Sequence, residues 1–294
     1  MKKKILILGG DSIIGKALYL DLIKDNFLVY KSTRKEKLEI DEFYLDLSND
    51  LDFSTFPNES YNFVFICISI TSIEYCKQNV LETNNINVNQ TIKLLNYFNR
   101  KGAFIIYFST NLVFDGLHQI MRYDTKVNPQ TIYGKQKVEV ENYLLQIPNN
   151  AVIRLTKVID EKFKLFDTWV NKLNAKESIT AFKDMYMSPI WIFDVVNFLK
   201  SFITNPTTGI IQISVDLDIS YHDAAIYIAN YLNIDTNLVI SASYIDFGIE
   251  YVPKHTALVC NIDDPNIFIN QNSYDAIDKF LLYKYRNKLN SKIS

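Results

Sequence analysis

The sequence predicts an α/β protein in which a doubly wound parallel sheet is joined to a smaller C-terminal α/β domain. In the first half of the chain, continuous apolar runs typical of strands buried on both faces alternate with segments of helical spacing. Such alternation is typical of a parallel sheet with helices on both of its faces. The pattern loosens from about Lys162, as expected where a smaller domain begins. The 294 residues suffice for one large domain or two ordinary ones.

The first predicted strand and helix meet at a glycine turn. Residues 5–8 are apolar, and Gly9, Gly10 and Gly15 are three of only 8 glycines in the chain. Glycines let a chain turn tightly and bring backbone N–H groups close to a pyrophosphate at the positive end of a helix. An ordinary strand-to-helix turn is the alternative interpretation. The position between a strand and a helix favours a nucleotide site formed by Gly9, Ser12, Ile13, Ile14 and Gly15.

The end of the second predicted strand indicates which dinucleotide is bound. An acidic residue about 20 positions beyond the glycines binds the ribose 2′-hydroxyl of NAD, whereas an arginine there accommodates the 2′-phosphate of NADP. In this chain Thr33 and Arg34 follow the strand, and no carboxylate occurs before Glu36. A solvated basic loop would have the same composition. We expect NADP (NADPH) as the preferred cofactor, bound by Thr33 and Arg34, with NAD as the alternative.

The third predicted strand ends in a carboxylate. Asp46 is placed to accept a hydrogen bond from an adenine amino group, but it could equally cap the following turn.

Candidate catalytic groups follow the strand over residues 103–108. Ser109 and Thr110 lie at its carboxyl end, where hydroxyls of a central strand face the ligand crevice, although they could simply satisfy turn backbone. Further on, Tyr133 and Lys137 are spaced i, i+4 and therefore share one face of a predicted helix. A nearby ammonium favours the phenolate, so Lys137 is expected to lower the pKa of Tyr133 and make it a proton donor or acceptor.

The Tyr-x-x-x-Lys spacing is not specific by itself. Tyr97 and Lys101 repeat it at the end of another predicted helix, without a hydroxyl-bearing strand end in the corresponding place upstream. We expect only the pair at Tyr133 to be catalytic.

The composition excludes several classes of partner. A formal charge of −2 predicts no strong field for nucleic acid or a membrane surface, and no run approaches the ~20 apolar residues of a membrane span. The three cysteines, Cys67, Cys76 and Cys260, are odd in number and lack the spacing of metal ligands. We therefore expect a cytoplasmic protein with no metal site.

Taken together, these residues make the chain resemble the extended short-chain dehydrogenase/reductases, and most closely their dTDP-4-dehydrorhamnose reductase branch. The resemblance runs from Lys4 to about Asn261. Its markers, in chain order, are Gly9 to Gly15, Asp46-Leu47, Asn87-Val88, residues 109–116, Asn128-Pro129 and residues 133–141.

The resemblance implies roles for individual residues. Thr110 would hydrogen-bond the substrate carbonyl, Tyr133 would protonate it as hydride arrives, and Lys137 would hold the nicotinamide ribose. The resemblance also implies a set of cofactor contacts around the adenine and the nicotinamide ribose, namely Asp46, Leu47, Cys67, Ile68 and Ser69.

The resemblance further implies a substrate side and shows where this chain departs from the family. The residues assigned to the substrate are Thr71, Asn111, Lys157 and Tyr186. Asn111-Leu112 replaces the usual Asp-Tyr, and Lys157 replaces a usual Trp, so the identity of the sugar is open. Ser12 replaces the middle glycine of the phosphate turn, which is tolerable if its φ is negative.

The same resemblance implies two discontinuous domains. A Rossmann-type NAD(P)-binding domain would comprise residues 1–160, with 187–208 and roughly 244–262 returning to it. A smaller substrate-binding domain would comprise residues 161–186 and 209–294.

The function that these features favour is an NADP-dependent reductase of a nucleotide-activated 4-keto-6-deoxy sugar, acting in surface polysaccharide or deoxysugar biosynthesis. The family resemblance implies that the protein is a homodimer. Two alternatives remain open. One is a non-catalytic, NADP-binding regulatory subunit that resembles the methionine adenosyltransferase beta subunit. The other is a nucleotide-sugar epimerase that holds its cofactor tightly.

Overall fold

The computed structural model describes residues 2–25, 27–57, 59–119, 121–261 and 272–290, with side chains described as far as Tyr285 in the last helix. The chain divides into two compact units. The first consists of Met1–Phe114, Tyr123–Leu155 and Val195–Gln212. The second consists of Asp115–Arg122, Thr156–Asp194 and Ile213–Ser294.

The strands are numbered in chain order. They are β1 (Lys4–Leu8), β2 (Leu28–Thr33), β3 (Glu42–Tyr44), β4 (Phe63–Ile66), β5 (Phe104–Thr110), β6 (Asn150–Leu155), β7 (Lys157–Ile159), β8 (Ile179–Phe182), β9 (Tyr186–Met187), β10 (Pro189–Trp191), β11 (Gly209–Ile213), β12 (Ile219–Ser220) and β13 (Val239–Ala242).

The helices are numbered in the same way. They are α1 (Ile13–Leu22), α2 (Ile73–Gln78), α3 (Val80–Asn84), α4 (Thr91–Arg100), α5 (Ile132–Leu144), α6 (Lys164–Asn174), α7 (Ile192–Thr204), α8 (Tyr221–Tyr231) and α9 (Asp275–Asn290). A π-helical segment, Asn85–Gln90, joins α3 to α4.

A seven-stranded sheet in the order β11-β6-β5-β4-β1-β2-β3 forms the centre of the first unit. The chain builds outward from β1 through β2 to β3, then returns to β4 and builds the other half, so the strand order reverses between β1 and β4. In open α/β sheets, ligands bind beyond the carboxyl ends of the strands at such a reversal. The predicted doubly wound parallel sheet is thus confirmed, and β1, β4 and β5 end at its ligand-binding edge.

The central strands are apolar because helices cover both faces of the sheet. Residues 5–8 of β1 have no exposed surface, and all four residues of β4 are buried. Burying a large aliphatic side chain contributes about 1.5–3 kcal/mol relative to leaving it exposed. The continuous apolar runs that predicted these strands therefore also supply the core that holds the sheet rigid.

The second unit contains short strand pairs and three helices. Its strands form the parallel pairs β7–β10 and β8–β13 and the antiparallel pair β9–β12. Aromatic side chains supply part of its core, where the Phe166 ring in α6 meets Phe280 of α9 edge-to-face at 5.5 Å and Trp169 at 5.7 Å.

One buried carboxylate fixes an irregular segment of the second unit. A single oxygen of Asp218 accepts hydrogen bonds from the Ser188 hydroxyl at 2.9 Å, from the Thr256 amide at 2.7 Å and from the Ala257 amide at 2.8 Å. These hydrogen bonds outweigh burial and lower the pKa of Asp218. The carboxylate therefore stays charged and holds three separate stretches of chain together.

The unit boundaries differ from the predicted domains in five places. Residues 115–122 and 156–160, predicted to lie in the first domain, belong to the second unit. Residues 209–212 belong to the first unit because β11 extends its central sheet next to β6. Residues 187–194 and 244–261 belong to the second unit, where Thr256 bonds to Asp218 and the Tyr251 hydroxyl donates to the carbonyl of Asp115 at 2.8 Å. Residue 262, also predicted to return to the first domain, lies outside the described residues. The functional role of each domain remains a prediction.

A buried ion pair ties helix α5 to the sheet of the first unit. Arg154 of β6 donates to the two oxygens of Glu141 at 3.1 and 2.7 Å, and both side chains are 2 % exposed. The guanidinium also donates to the carbonyl of Tyr123 at 3.2 Å and to Gln212 at 3.4 Å. This bidentate geometry satisfies a charge that would otherwise be costly to bury.

We expect Glu141→Gln to lower the free energy of unfolding by about 3–5 kcal/mol, because it leaves the Arg154 charge buried without a counter-ion. Urea unfolding followed by circular dichroism measures the change. The matched control is Asp50→Asn, which removes a 98 % exposed carboxylate 3.7 Å from Lys93 and should change stability by about 0.5 kcal/mol or less. Equal effects of the two variants would contradict a stabilising role for the buried pair.

Candidate active site

The glycine turn after β1 brings the chain into contact with the end of β4. Gly9 has a φ of +90°, and a Cβ at this position would lie 2.9 Å from the Ile68 side chain and 3.0 Å from the backbone of Cys67. A Cβ on Gly15 would lie 2.2 Å from the carbonyl oxygen of Gly9. Both positions therefore require glycine, because a side chain would force the turn away from β4 or from the start of α1.

Ser12 caps helix α1. Its φ is −71°, the negative value that a serine at this position requires. Its hydroxyl donates to the carbonyl of Gly9 at 2.8 Å and accepts from the amide of Gly15 at 3.0 Å. The hydroxyl thus bonds to the backbone of its own turn, and the substitution for glycine is compatible with the phosphate turn.

The first turn of α1 provides the groups that a pyrophosphate needs. The first intrahelical bond runs from the Lys16 amide to the Ser12 carbonyl, so the amides of Ile13 and Ile14 precede the hydrogen-bond ladder of the helix. They lie at the positive end of the helix dipole, where anions are stabilised. These two amides, with Gly9 and Gly15 beside them, fit the diphosphate of a dinucleotide.

The predicted 2′-phosphate contacts gather around a carboxylate of the glycine turn. The buried Thr33 hydroxyl donates to an oxygen of Asp11 at 2.5 Å, and the Arg34 amide donates to the same oxygen at 3.4 Å. The Lys35 ammonium lies 3.3 Å from the other oxygen. Partial burial opposes ionisation, but these hydrogen bonds lower the pKa of Asp11, so the group is charged at neutral pH.

The remaining predicted cofactor residues lie after β3 and β4. Leu47 is buried, and Asp46 accepts a hydrogen bond from the Ser48 amide at 3.0 Å, which is the turn-capping alternative noted for this carboxylate. Cys67 and Ile68 follow β4 beside the glycine turn. Ser69 donates to the Asn87 side chain at 3.1 Å.

Thr110 is the last residue of β5, and its side chain caps the turn that follows. The hydroxyl accepts from the Leu112 amide at 3.2 Å and donates to the Asn111 side chain at 3.3 Å. The 8 % exposure of Thr110 shows that the fold largely buries the residue. The hydroxyl therefore satisfies a turn amide, as the alternative interpretation expected. Its single proton would have to turn away from Asn111 to be donated to a carbonyl.

Helix α5 approaches the turn after β5 very closely. Thr131 caps the helix by accepting from the Gly134 amide at 3.0 Å. A Cβ on Gly134 would lie only 2.3 Å from the carbonyl oxygen of Leu112, so this helical position also requires glycine. The close approach brings the first turn of α5, which carries Tyr133, against the carboxyl end of β5.

Lys137 anchors the same helix to β5. Its buried ammonium donates to the carbonyl of Phe108 at 2.8 Å and lies 4.5 Å from the centre of the Tyr107 ring and 5.6 Å from that of Tyr133. Contacts between a cation and aromatic faces stabilise the charge, more so where water is excluded. The structure thus brings Tyr133 and Lys137 together at the end of β5.

Burial shifts the two titratable groups in opposite directions. It raises the pKa of Tyr133, with the neighbouring Cys76 adding to the rise and a hydrogen bond with Ser69 opposing it. It lowers the pKa of Lys137 to about 7, with Glu141 opposing the fall. The pKa of Tyr133 therefore lies above its ordinary value, and not below it as the Lys137 spacing predicted, because burial removes the phenolate from water.

A buried network of carboxamides supports Tyr133 and Lys137. In the sequence, one member of this network, Asn87, stood out only as a marker of the family resemblance. Asn87, in the π-helical segment, accepts from the Ile70 amide and donates to the Ile70 carbonyl and to Gln136, at 2.8, 2.9 and 2.8 Å. Gln136 lies between Tyr133 and Lys137 in α5 and donates onward to Thr83 at 2.9 Å. The helical periodicity places Gln136 beside Tyr133 and Lys137, but its hydrogen-bond partners are visible only in the fold.

The four predicted substrate residues fall in different units. Thr71 is exposed and Asn111 half-buried in the first unit. Lys157 and Tyr186 begin β7 and β9 of the second unit. The Lys157 ammonium lies 5.8 Å from the centre of the Phe163 ring, and although solvent reaches the side chain, the surrounding protein lowers its pKa by desolvation. Their contact with substrate remains a prediction.

The second Tyr-x-x-x-Lys pair has a packing role. The Tyr97 ring stacks on Phe53 at 4.3 Å and packs against the core of the first unit. The Lys101 ammonium lies 4.7 Å from the centre of the Tyr97 ring.

The described part of the chain holds neither a metal-binding cluster nor a membrane-spanning helix. No group of three His, Cys, Asp or Glu side chains there could hold a metal ion. No described helix combines the length and the hydropathy needed to cross a membrane.

The chain is similar to known proteins over most of its length. The family described as RmlD substrate binding domain matches residues 2–261. A dTDP-4-dehydrorhamnose reductase of Aggregatibacter actinomycetemcomitans is 26 % identical over 235 residues, which are 76 % of this chain and 78 % of the relative. The crystal structure of a dTDP-4-dehydrorhamnose reductase from Bacillus anthracis, in complex with NADP, superposes with a TM-score of 0.82 at 20 % identity, covering 96 % of this chain and 100 % of the other.

A second kind of relative matches a shorter region. Methionine adenosyltransferase 2 subunit beta of Bos taurus is 26 % identical over 172 residues, which are 57 % of this chain but only 51 % of the relative. The family match, by contrast, extends over both compact units. The chain therefore belongs to the RmlD substrate-binding-domain family, within the extended short-chain dehydrogenase/reductases.

Proposed function

We propose that this protein is an NADP-dependent reductase that transfers hydride to the keto group of a nucleotide-activated 4-keto-6-deoxy sugar, in deoxysugar or surface polysaccharide biosynthesis. The observation that carries the proposal is the joining of Tyr133 and Lys137 to the end of β5, beside Thr110, by the Phe108 bond and the Gly134 contact. The reductase from Aggregatibacter actinomycetemcomitans supports the choice of substrate class.

The dinucleotide supplies the hydride when it is bound. The amides of Ile13 and Ile14 would hold its diphosphate, and Thr33 with Arg34 would face the ribose that carries the 2′-phosphate. The NADP complex of the Bacillus anthracis relative supports NADP as the cofactor. The carboxamide of Asn87 holds the loop after β4, where Cys67, Ile68 and Ser69 would border the nicotinamide ribose.

The protein's own groups manage the proton and the carbonyl oxygen. Because burial raises the pKa of Tyr133, its phenol keeps a proton at neutral pH and can donate it to the oxygen that becomes a hydroxyl. The Thr110 hydroxyl would donate a hydrogen bond to the same oxygen. The Lys137 ammonium stabilises the phenolate that remains once the proton has left.

The environment and assembly of the protein are also proposals. The three cysteines of the described chain are free thiols, which supports a reducing, cytoplasmic environment. A nucleotide sugar is the proposed partner, with Thr71, Asn111, Lys157 and Tyr186 as its contacts. A homodimer is proposed on family resemblance.

A regulatory role is the second candidate, because the methionine adenosyltransferase beta subunit of Bos taurus is among the relatives. A regulator that only binds NADP has no need of Thr110, Tyr133 and Lys137 as a complete set. The geometry therefore favours catalysis. Stoichiometric co-purification with a partner enzyme, without turnover of any keto sugar, would reverse this order.

We expect Tyr133→Phe to reduce NADPH oxidation with nucleotide 4-keto sugars by at least about 100-fold, because general acid catalysis contributes about 10²–10⁴-fold. Binding of NADPH should be retained, since the variant loses only the phenolic hydroxyl. The measurement is absorbance at the NADPH band against a panel of dTDP-, UDP- and GDP-linked 4-keto sugars, with calorimetry for cofactor binding.

The matched control is Tyr97→Phe, which removes a hydroxyl from the other Tyr-x-x-x-Lys pair and leaves the ring stacked on Phe53. Its activity should equal that of the wild type. Unchanged turnover in Tyr133→Phe would rule out the proposed proton donor, and no turnover of any sugar by the wild type would rule out the proposed function.

We expect kcat/KM for NADPH to fall by about tenfold per pH unit above about pH 7. Lys137, whose pKa is about 7, loses its positive charge over that range in the free protein, which kcat/KM reports. A guanidinium stays charged throughout, so Lys137→Arg should have lower activity but no decline up to pH 9. A wild-type profile that is flat to pH 9 would show that Lys137 keeps its charge or that its charge is not needed.

A further inference from the structure

The carboxylate of Asp11 occupies a place where a dinucleotide site normally receives a phosphate. Its partners are the Thr33 hydroxyl at 2.5 Å, the Arg34 amide at 3.4 Å and the Lys35 ammonium at 3.3 Å. A hydroxyl, a backbone amide and a cation are the donors that bind a phosphate monoester. The protein thus already holds one anion on the donors that the 2′-phosphate of NADP requires.

Not every cation near the glycine turn is available to offset the negative charge of Asp11. Lys31 of β2 is paired with Glu42 at 2.9 Å and packs over the Tyr19 ring at 4.0 Å. The cations at the end of β2 are therefore Arg34 and Lys35, and Lys35 is paired with Asp11. A bound 2′-phosphate has to replace Asp11 as the partner of Thr33 and Lys35. The phosphate then lies beside the negative charge of the Asp11 carboxylate.

We propose that Asp11 determines the cofactor preference of this protein, by competing with the 2′-phosphate of NADP and by accepting a hydrogen bond from the 2′-hydroxyl of NAD. The inference deepens the proposed function, on which it rests for the identity of the ligand. In this chain, the acidic residue that recognises a ribose hydroxyl comes from the glycine turn, and the basic residues that recognise a phosphate come from the end of β2. Asp11 and a 2′-phosphate use the same donors. The site therefore binds both dinucleotides and discriminates only weakly between NADP and NAD.

The expected size of the effect follows from the exposure of the groups. The side chains of Asp11 and Lys35 are 43 % and 66 % exposed, so water and salt screen their interaction. Removal of the Asp11 charge should accordingly change the ratio of the two affinities by about tenfold or more.

The experiment is calorimetric titration of the full chain with NADP⁺ and with NAD⁺, for the wild type and for Asp11→Asn. The variant should bind NADP⁺ about tenfold more tightly and NAD⁺ no more tightly than the wild type, with most of the gain lost in high salt. Asp52→Asn is the charge-matched control, because Asp52 is an exposed capping carboxylate of the same unit, and it should leave both affinities unchanged. Asp11→Ser, which also removes the charge, should shift the ratio in the same direction.

A double-mutant cycle with Lys35→Gln tests the shared donor directly. In the wild type, Lys35 is held by Asp11, so its loss should weaken NADP⁺ binding less than threefold. In the Asp11→Asn background the ammonium is released to the phosphate, and its loss should weaken binding about tenfold.

Each result bears on the inference. An unchanged affinity ratio in both Asp11 variants, additive effects in the cycle, or a wild type that already prefers NADP⁺ by more than about 100-fold would overturn it. Absence of binding by either dinucleotide would overturn the inference and the proposed function together. Dinucleotide binding with the expected shift, but without turnover of keto sugars, would overturn the proposed function and leave the role of Asp11 intact.

Discussion

The arrangement of the candidate active site depends on the close packing of helix α5 against the end of strand β5. Gly134 lies so near the Leu112 carbonyl that no side chain fits between them, and Lys137 bonds to the Phe108 carbonyl one helical turn further on. These two contacts fix the distance and the rotation of the helix relative to the strand. The positions of Tyr133 and Thr110 follow from them, as does the burial that governs the chemistry of the phenol.

That burial has opposite consequences for the two ionisable groups. The phenol of Tyr133 becomes a weaker acid, which suits its proposed role, because a proton donor must keep its proton until the carbonyl binds. The ammonium of Lys137 loses its proton more easily than an exposed lysine. The Phe108 carbonyl, the aromatic faces and Glu141 stabilise its positive charge. The buried Glu141–Arg154 pair, one helical turn beyond Lys137 on the same helix face, is thus both a structural tie and part of the electrostatic surroundings of the lysine.

The residue patterns predicted the features that depend on local order along the chain. The apolar runs predicted the central sheet, the spacing of Tyr133 and Lys137 predicted their shared helix face, and the clustered glycines predicted the turn. Features that depend on distant partners were missed. The carboxylate of Asp11 meets Thr33 only because β1 and β2 are neighbours, and β11 joins the sheet of the first unit after a long excursion of the chain. The pKa direction of Tyr133 was missed for the same reason, since sequence shows a neighbouring charge but not the exclusion of water.

The Asp218 junction also has a dynamic consequence. Two successive backbone amides, those of Thr256 and Ala257, donate to the same carboxylate oxygen, and the Ser188 hydroxyl shares it. Neither amide belongs to a helix or a strand, so their protection from hydrogen exchange rests on one side chain rather than on a ladder. They should open and exchange as a single event, and the irregular segment around them then behaves as one cooperative unit whose lifetime is set by the carboxylate.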